Sequence, residues 1–344
     1  MADRTLRVAG VVFAGIFSLL IAAPSGQAPA APERRTTTKP TPKWTPPRTP
    51  WGDPDLQGTW NNGTITPLER PRNAGEKALL SKEEEDEVND QSETRATAEN
   101  RPKDAAQDVE LAYDQVWWDR GRSIGRTSLI VDPKDGRLPA LTPHGEKLMA
   151  EQAAARAARG AFDSWTDRPL QERCILYHGV PPLPTGYNNN YEITQAPGVV
   201  AIFHEEIHEV RIIPVDGRPH SGSSIRQWMG DSRGHWEGDT LVVETTNFRP
   251  DTTFRFPADP ATLRVIERFR RVAPDAIDYQ FTVENPTFYS APWTATLPMR
   301  PGDGLIYEYA CHEGNYAIVD VLQGHRAEEK RAQEAARGGA AAPR

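Results

Sequence analysis

From residue 191 onward, the chain is dominated by short runs of β-branched and aromatic residues that are separated by turn residues. Such runs are typical of β-strands, and short connections between them favour antiparallel neighbours. Strands are predicted at residues 191–195, 199–203 continuing to 215, 240–247, 263–272, 277–284, 293–297 and 305–311. Hairpin turns are predicted at Asp216-Gly217, at Gly238-Asp239 and within Ala273-Pro274-Asp275-Ala276. We therefore expect a mainly β (α+β) protein whose antiparallel meander forms a barrel or a sandwich.

Helical signals precede these strands. Ser81-Lys82-Glu83-Glu84 is a capping box, which predicts a helix from Ser81 to about residue 100. A second helix is predicted at residues 143–158, with Thr142 as the N-cap and Pro143 at the first position. Residues 51–160 are thus predicted to form a first strand and an N-terminal helical addition. Residues 161–325 are predicted to form the main antiparallel β domain.

The two ends of the chain have the composition of processing and linker segments. Residues 1–28 combine a basic start, an uncharged apolar run and small residues, which predicts a secretory signal peptide. The mature protein would then be periplasmic or extracellular, with no stable membrane insertion after cleavage. An uncleaved anchor is the alternative, although the apolar run is short for a span of about 20 residues. Residues 29–50 are predicted to be a Pro-rich linker, and residues 326–344 a charged, Ala-rich tail.

Charge and motif content exclude several classes of function. The formal net charge is −8, and no basic stripe with interleaved aromatic residues occurs, which argues against a nucleic-acid partner. No P-loop, dinucleotide fingerprint or EF-hand loop is present. The serine-hydrolase elbow G-x-S-x-G is also missing. Nucleotide-dependent and serine-hydrolase chemistry are therefore not indicated.

The chain contains only two cysteines, Cys174 and Cys311. In an oxidising compartment two cysteines can pair, so we predict a disulfide between them. Two buried free thiols are the alternative.

His204-Glu205-Glu206-Ile207-His208 matches the zinc-protease signature H-E-x-x-H, which requires a helix to bring both histidines to one metal. The flanking residues are β-branched and favour a strand. On a strand, His204 and His208 would stand about 13 Å apart and could not share a zinc ion. The strand prediction places His204, Glu206 and His208 on one face.

Neighbours on a strand face can still contribute to a metal site. Glu206 and His208 would ligate a divalent ion if a third ligand came from His220, His235 or His312. The alternative is a polar strand face at the mouth of a barrel.

A second polar block contains Asp231, His235 and Glu237, beside Arg226-Gln227-Trp228. A carboxylate that orients an imidazole can perform acid–base chemistry, so Asp231 and His235 are candidate catalytic residues. The alternative is turn chemistry, because Gly230-Asp231-Ser232-Arg233-Gly234 has the composition of a tight loop. His312 could face the same cavity as His208, or it could be a buried, satisfied histidine.

Three sequence blocks resemble a family of uncharacterised secreted bacterial proteins. The blocks are WGDPDLQGTW at residues 51–60, SIRQWMGDSRGHWEGDTLVVET at residues 224–245 and YEYACHEGNY at residues 307–316. This resemblance carries no known activity. Gly58-Thr59-Trp60 also resembles the Gly-x-Trp of the first lipocalin strand, which implies a lipocalin-like barrel that binds small apolar ligands.

The main functional hypothesis is a secreted β protein that binds or transforms a small, partly apolar molecule. If it is an enzyme, we expect cofactor-free lyase, hydratase or isomerase chemistry. His208 or His235 would then be the base, Asp231 or Glu206 its orienting carboxylate, and His312 the acid. One alternative is a metal-dependent hydrolase with Glu206, His208 and a distant histidine such as His312 as ligands. The other is a non-catalytic envelope interaction protein.

Overall fold

The computed structural model describes residues 44–94, 103–104, 119–302 and 304–340. The side chains of His208 and of residues 338–340 lie outside this description, as do the predicted signal peptide and most of the predicted linker. The strands are β1 (Gly58–Asn61), β2 (Ile130–Asp132), β3 (Asn190–Ala196), β4 (Val199–His204), β5 (Val210–Pro214), β6 (Asp231–Glu237), β7 (Thr240–Thr246), β8 (Arg264–Ala273), β9 (Ala276–Glu284), β10 (Trp293–Thr296) and β11 (Arg300–Pro301). The helices are α1 (Lys82–Thr94), α2 (Pro143–Ala157) and α3 (Ala317–Ala340).

The strands form two antiparallel sheets. The first sheet has the order β11-β1-β3-β4-β5, and the second has the order β2-β10-β9-β8-β7-β6. Every pair of neighbouring strands is antiparallel. The expectation of a mainly β, antiparallel fold is therefore confirmed. The described strands do not close into one barrel, and two separate sheets are consistent with the sandwich alternative.

Two close approaches between the backbones of the sheets bear on the position of the site. Ile277 of β9 and Met299, just before β11, exchange backbone hydrogen bonds of 3.0 and 2.9 Å. On the opposite side β5 and β6, the edge strands of the two sheets, lie next to each other without pairing. This unpaired junction is where the cavity described below opens.

The core lies between the sheets and follows the period of two that strands impose on their side chains. In β9 the buried residues alternate with half-buried ones, so Ile277, Tyr279, Phe281 and Val283 all point inward. The same alternation in β8 buries Val265 and Phe269, and it also buries the carboxylate of Glu267. A buried carboxylate requires a partner, and Arg211 of β5 supplies it across the core.

Local sequence signals set several boundaries as predicted. Ser81 Oγ accepts from the Glu84 N–H, while the Glu84 carboxylate accepts from the Ser81 N–H, so the capping box is formed. Thr142 Oγ1 accepts from the Gly145 N–H at 3.0 Å and caps α2. Gly238-Asp239 forms the two-residue turn between β6 and β7, and Pro274-Asp275 forms the turn between β8 and β9. The predicted residues 95–100 of the first helix lie outside the described residues.

Other predicted elements were wrong. Residues 304–312 form no strand, and Leu305 and Tyr307 are exposed, so this segment has no core face to bury. Asp216-Gly217 is not a tight hairpin, because residues 215–230 form a long connection between β5 and β6. The predicted charged, Ala-rich tail is helical over its described part, within a helix that begins at Ala317. None of the helices within the described ranges is long and apolar enough to cross a membrane.

The predicted loop at residues 230–234 is instead the start of β6. Gly234 is the reason that a glycine-rich sequence fits a strand here. A Cβ at this position would lie 2.8 Å from Val215 Cγ1 and 3.1 Å from Ile213 Cγ2. Glycine therefore allows side chains at the end of the first sheet to approach the backbone of β6 closely.

Candidate active site

The His204–His208 stretch is neither a helix with one metal-binding face nor a continuous strand. β4 ends at His204, residues Glu206–His208 form a 3₁₀ turn, and β5 begins at Val210. The prediction that His204, Glu206 and His208 share one strand face is therefore wrong. Ile207 adopts φ 58° and ψ 14°, a left-handed conformation that is costly for a β-branched residue. This conformation turns the chain back on itself within four residues.

The turn brings His204 and Glu209 together across the hairpin. The His204 N–H donates to the Glu209 carbonyl at 2.8 Å, and His204 Nδ1 lies 3.3 Å from Glu209 Oε2. Both side chains are almost completely buried. The other carboxylate oxygen of Glu209 accepts from the Tyr177 N–H at 2.8 Å. The imidazole and the carboxylate are therefore close neighbours at ion-pair distance, although these two atoms do not form a hydrogen bond.

Four buried polar atoms of this turn have no hydrogen-bond partner among the described residues. They are His204 Nδ1 and Nε2, Glu206 Oε2 and Glu209 Oε2. Buried polar groups are normally paired, and an unpaired one costs about 1–3 kcal/mol. Such a concentration of unsatisfied atoms is more typical of a functional site than of a structural core.

Glu206 is kept protonated at neutral pH. Its side chain is fully buried, and its Oε1 accepts from Gln171 Nε2 at 3.0 Å. Burial raises the pKa of Glu206 to about 8, chiefly because the charged carboxylate is desolvated. Glu206 can therefore act as a proton donor near pH 7.

His178 and Tyr191 complete the buried group, which we call the histidine cluster (His178, Tyr191, His204, Glu206 and Glu209). His178 Nε2 donates to the Asn188 carbonyl at 2.9 Å, so its Nδ1 is free to accept from the Tyr191 hydroxyl at 3.2 Å. Burial is the main cause that lowers the pKa of His178, and the neighbouring His204 is the second. Together they bring this pKa to about 4, so His178 is neutral at pH 7. Burial also raises the pKa of Tyr191 well above its ordinary value.

A cavity of about 570 Å³ opens beside the histidine cluster, between β5 and β6. Its volume is in the range of small-molecule sites. Ile207 and Glu209 of the turn form part of its wall. The remaining lining residues are Cys174, Ile175, Leu176, Val210, Arg211, Ile212, Arg226, Gln227, Trp228, Met229, Gly230, Asp231, Ser232 and Arg249. Glu209 is thus the member of the cluster that borders both the cavity and a buried histidine.

Asp231 lies in the cavity wall, but its histidine is His220 and not His235. Asp231 Oδ2 is 2.8 Å from His220 Nδ1, and Oδ1 accepts from Arg233 Nη1 at 2.7 Å. Burial alone would raise the pKa of Asp231, but hydrogen bonds from the Ser221 N–H, His220 and Arg233 outweigh it and lower the pKa. Asp231 is therefore an ionised group that orients His220.

The structure does not bring His235 and His312 to the cavity. His235 Nε2 pairs with Glu237 at 3.1 Å on the exposed face of β6, with 61% of its side chain exposed. His312 lies on the exposed segment before α3. The expected meeting of His235 and His312 with the His204–His208 stretch is therefore not found. The predicted base His208 has its backbone in the turn, and its side chain lies outside the described residues.

The predicted disulfide is confirmed, and it forms part of the site. Cys174 and Cys311 are bonded, and Cys174 lies in the cavity wall. Asn315 Nδ2 donates to the Glu172 carbonyl at 3.0 Å, which holds the segment before α3 against the same loop. The C-terminal segment thus supports one wall of the cavity.

The described residues contain no group of three or more His, Cys, Asp or Glu side chains placed to hold a metal ion. The ligand set Glu206, His208 and His312 is not assembled in the part of the chain that can be described. His312 is exposed, whereas Glu206 is fully buried.

Comparison with protein-family models, with curated proteins and with solved structures found no match for the chain. The resemblance to uncharacterised secreted bacterial proteins and to lipocalins therefore remains a prediction.

Sequence reasoning missed three members of the histidine cluster: His178, Tyr191 and Glu209. His178 immediately precedes the long loop at residues 179–190, and long loops more often carry function than short ones. No sequence feature marks Tyr191 or Glu209 as part of a site. Their contacts with the cluster form only when the segment that contains Tyr177 and His178 packs against the β4–β5 hairpin and its neighbour β3.

Proposed function

We propose that the protein binds a small, partly apolar molecule in the cavity between β5 and β6 and transforms it by cofactor-free acid–base chemistry. The observation that supports this most directly is the position of Glu209. It borders the cavity and lies against His204, whose ring nitrogens are buried and unpartnered. Val210, Ile212, Trp228 and Met229 supply apolar surface in the same cavity. A cavity of this composition with a few convergent polar groups is typical of a ligand site.

The candidate chemical roles follow from the position of Glu209 at the cavity wall and from the raised pKa of Glu206. Glu209 with His204 beside it is the candidate proton acceptor at the cavity wall. The protonated Glu206 is fully buried and does not line the cavity, so it is the candidate proton donor within the histidine cluster. A base and an acid of this kind are what a lyase, hydratase or isomerase requires. Asp231 lies in the wall on the β6 side, and its carboxylate orients His220, which lies outside the lining.

Binding can be tested with Nile red, a neutral dye whose fluorescence rises in apolar surroundings. Val210→Arg places a long charged side chain in the cavity and should reduce dye binding at least fivefold. Val272→Arg is the matched control, because Val272 is also an exposed strand valine, 40% exposed against 51% for Val210, and lies outside the cavity. Equal effects of both substitutions, or no dye binding by the wild type, would refute the proposed cavity function.

A metal-dependent hydrolase is the second candidate, and the unpartnered atoms of His204 and Glu209 are the observation that favours it. Because His204 and Glu209 supply only two metal ligands, a metal site here would also need His208 as a third ligand. Metal analysis of purified protein after incubation with Zn²⁺, Mn²⁺ or Fe²⁺ tests this candidate. Stoichiometric metal that is lost in His204→Ala would support it, and less than about a tenth of an equivalent would exclude it.

A further inference from the structure

The cavity wall contains five charged side chains, and four of them have a partner of opposite charge or a histidine beside them. Arg211 is paired with Glu267, Arg249 with Asp251 at 2.9 Å, and Asp231 with Arg233. Glu209 lies against His204. The fifth charged residue is Arg226, and no described carboxylate pairs with it. Within the described part of the chain, Arg226 is therefore the cation of the cavity wall that has no charged partner.

Arg226 is held in a defined position. Its Nη1 donates to the Phe248 carbonyl at 3.1 Å, and this leaves other N–H groups of the guanidinium available. The backbone around it is also fixed, because the Gln227 N–H donates to the Asn247 carbonyl and the Arg249 N–H donates to the Gln227 carbonyl, each at 3.0 Å. A cation whose position is set before a ligand arrives loses less side-chain entropy on binding.

The wall that contains Arg226 also contains apolar surface. Trp228 and Met229 follow Arg226 in the wall, and Ile212 lines the cavity from β5. The guanidinium of Arg249 lies 4.4 Å from the centre of the Trp228 ring, which fixes the indole in place. The cavity wall thus combines Arg226, which has no charged partner among the described residues, with a fixed apolar surface.

We infer that the ligand is a small amphipathic carboxylate whose acid group binds Arg226 and whose apolar part lies along Trp228, Met229 and Ile212. This inference rests on the proposed binding function and adds the chemical class of the ligand. An arginine can bind a carboxylate through two parallel N–H···O bonds, and such charge-assisted bonds are about twice as strong as neutral ones. A neutral molecule of the same shape would leave the Arg226 charge without a partner.

Isothermal titration with 1-naphthoate and with its neutral analogue 1-naphthamide tests the inference. The wild type should bind the carboxylate about tenfold more tightly than the amide, as expected for one charge-assisted contact. In Arg226→Gln this preference should fall below twofold while binding of the amide is unchanged. Arg226→Lys should retain part of the preference, because it keeps the charge but loses the planar fork. Arg300→Gln, which removes an exposed arginine outside the cavity, should behave as the wild type.

The outcomes separate the two proposals. Equal binding of carboxylate and amide by the wild type, or a full preference in Arg226→Gln, would overturn the assignment of an anionic ligand and leave the cavity function standing. If neither naphthalene compound nor Nile red binds, both proposals fail. A melting temperature of Arg226→Gln within about 2 °C of the wild type would show that the variant is folded.

Discussion

The Arg211 guanidinium donates two hydrogen bonds, of 3.0 and 2.6 Å, to the Glu267 carboxylate across the core. Arg211 belongs to β5 at the edge of the first sheet, and Glu267 belongs to β8 in the interior of the second. Tyr279 Oη donates a further hydrogen bond to Glu267, and Ser232 and Thr245 accept from Arg211. This pair therefore connects the two sheets beneath the cavity, where β5 and β6 themselves are not paired.

Glu267→Gln should destabilise the protein strongly, because it leaves the buried charge of Arg211 without compensation. Removal of one partner of a buried pair typically costs about 3–5 kcal/mol. The double variant Arg211→Met/Glu267→Met should lose less than the single variant, since no charge is left buried. Urea unfolding followed by circular dichroism measures these differences. Glu237→Gln is the control, because Glu237 pairs with Arg268 on the exposed face and should cost less than about 1 kcal/mol. A Glu267→Gln loss no larger than this control would contradict the assigned role.

Stability should decrease between pH 6.5 and 8 because of Glu206. Burial raises its folded-state pKa to about 8 from an ordinary value of 4.5, so the folded state binds more protons in this range. The free energy of unfolding must then fall as the pH rises. His178 has the opposite effect only from pH 4 to 6.5, because burial lowers its pKa to about 4. From pH 6.5 to 8 the contribution of Glu206 amounts to at most about 2 kcal/mol.

Glu206→Gln should flatten the stability profile over this interval. The measurement is urea unfolding of both proteins at half-unit steps from pH 6.5 to 8.5. Glu192→Gln, on the exposed side of β3, is the control and should keep the slope of the wild type. Parallel profiles of the wild type and Glu206→Gln would show that Glu206 is not protonated in the folded protein.

Loss of the disulfide should weaken both the fold and the cavity. The Cys174–Cys311 bond closes a loop of 137 residues, and removal of a disulfide of this kind costs about 2–4 kcal/mol. Because Cys174 lies in the cavity wall, Cys174→Ser/Cys311→Ser should also bind Nile red more weakly. Reductant should lower the melting temperature of the wild type and have no effect on the double variant. If the dye binds both proteins equally, the C-terminal segment does not support the cavity.

Gly234→Ala should cost about 1–3 kcal/mol through overpacking. The added methyl group would lie 2.8 Å from Val215 Cγ1, where β6 approaches the end of the first sheet. Gly222→Ala is the control, because a Cβ there meets only Ser224 Oγ at 4.0 Å. Thermal unfolding compares the two variants, and similar melting temperatures would mean that the junction can expand without cost.

Features encoded by neighbouring residues were predictable from the sequence. Ser81 and Thr142 cap helices through hydrogen bonds within three residues, and Gly238-Asp239 sets its own turn. The disulfide was also predictable, since only one pair of cysteines exists. A period of two along residues 263–272 puts Val265, Glu267 and Phe269 on one face, but such a pattern cannot identify Arg211 as the partner of Glu267.

The candidate site was harder to predict, because its contacts join distant segments. The β-branched flanks of His204 correctly excluded a helix, yet the strong β preference of Ile207 hid the turn, where this residue adopts a left-handed conformation. Asp231 was predicted as a catalytic candidate beside His235. The structure places it in the cavity wall, with His220 and not His235 as its neighbour. His220 reaches it from the connection between β5 and β6, whose path is not encoded by a periodic pattern.

The hairpin between His204 and Glu209 has a consequence for related sequences. Four residues separate the two, and their backbones are joined by the hydrogen bond from His204 to Glu209. Insertion or deletion of a single residue would move the carboxylate to the other side of the hairpin, whereas replacement of Glu205 or His208 would leave the spacing intact. The length of the turn sets the position of Glu209 relative to His204. Distant relatives with the same chemistry should therefore conserve the length of the turn more strongly than its amino-acid composition.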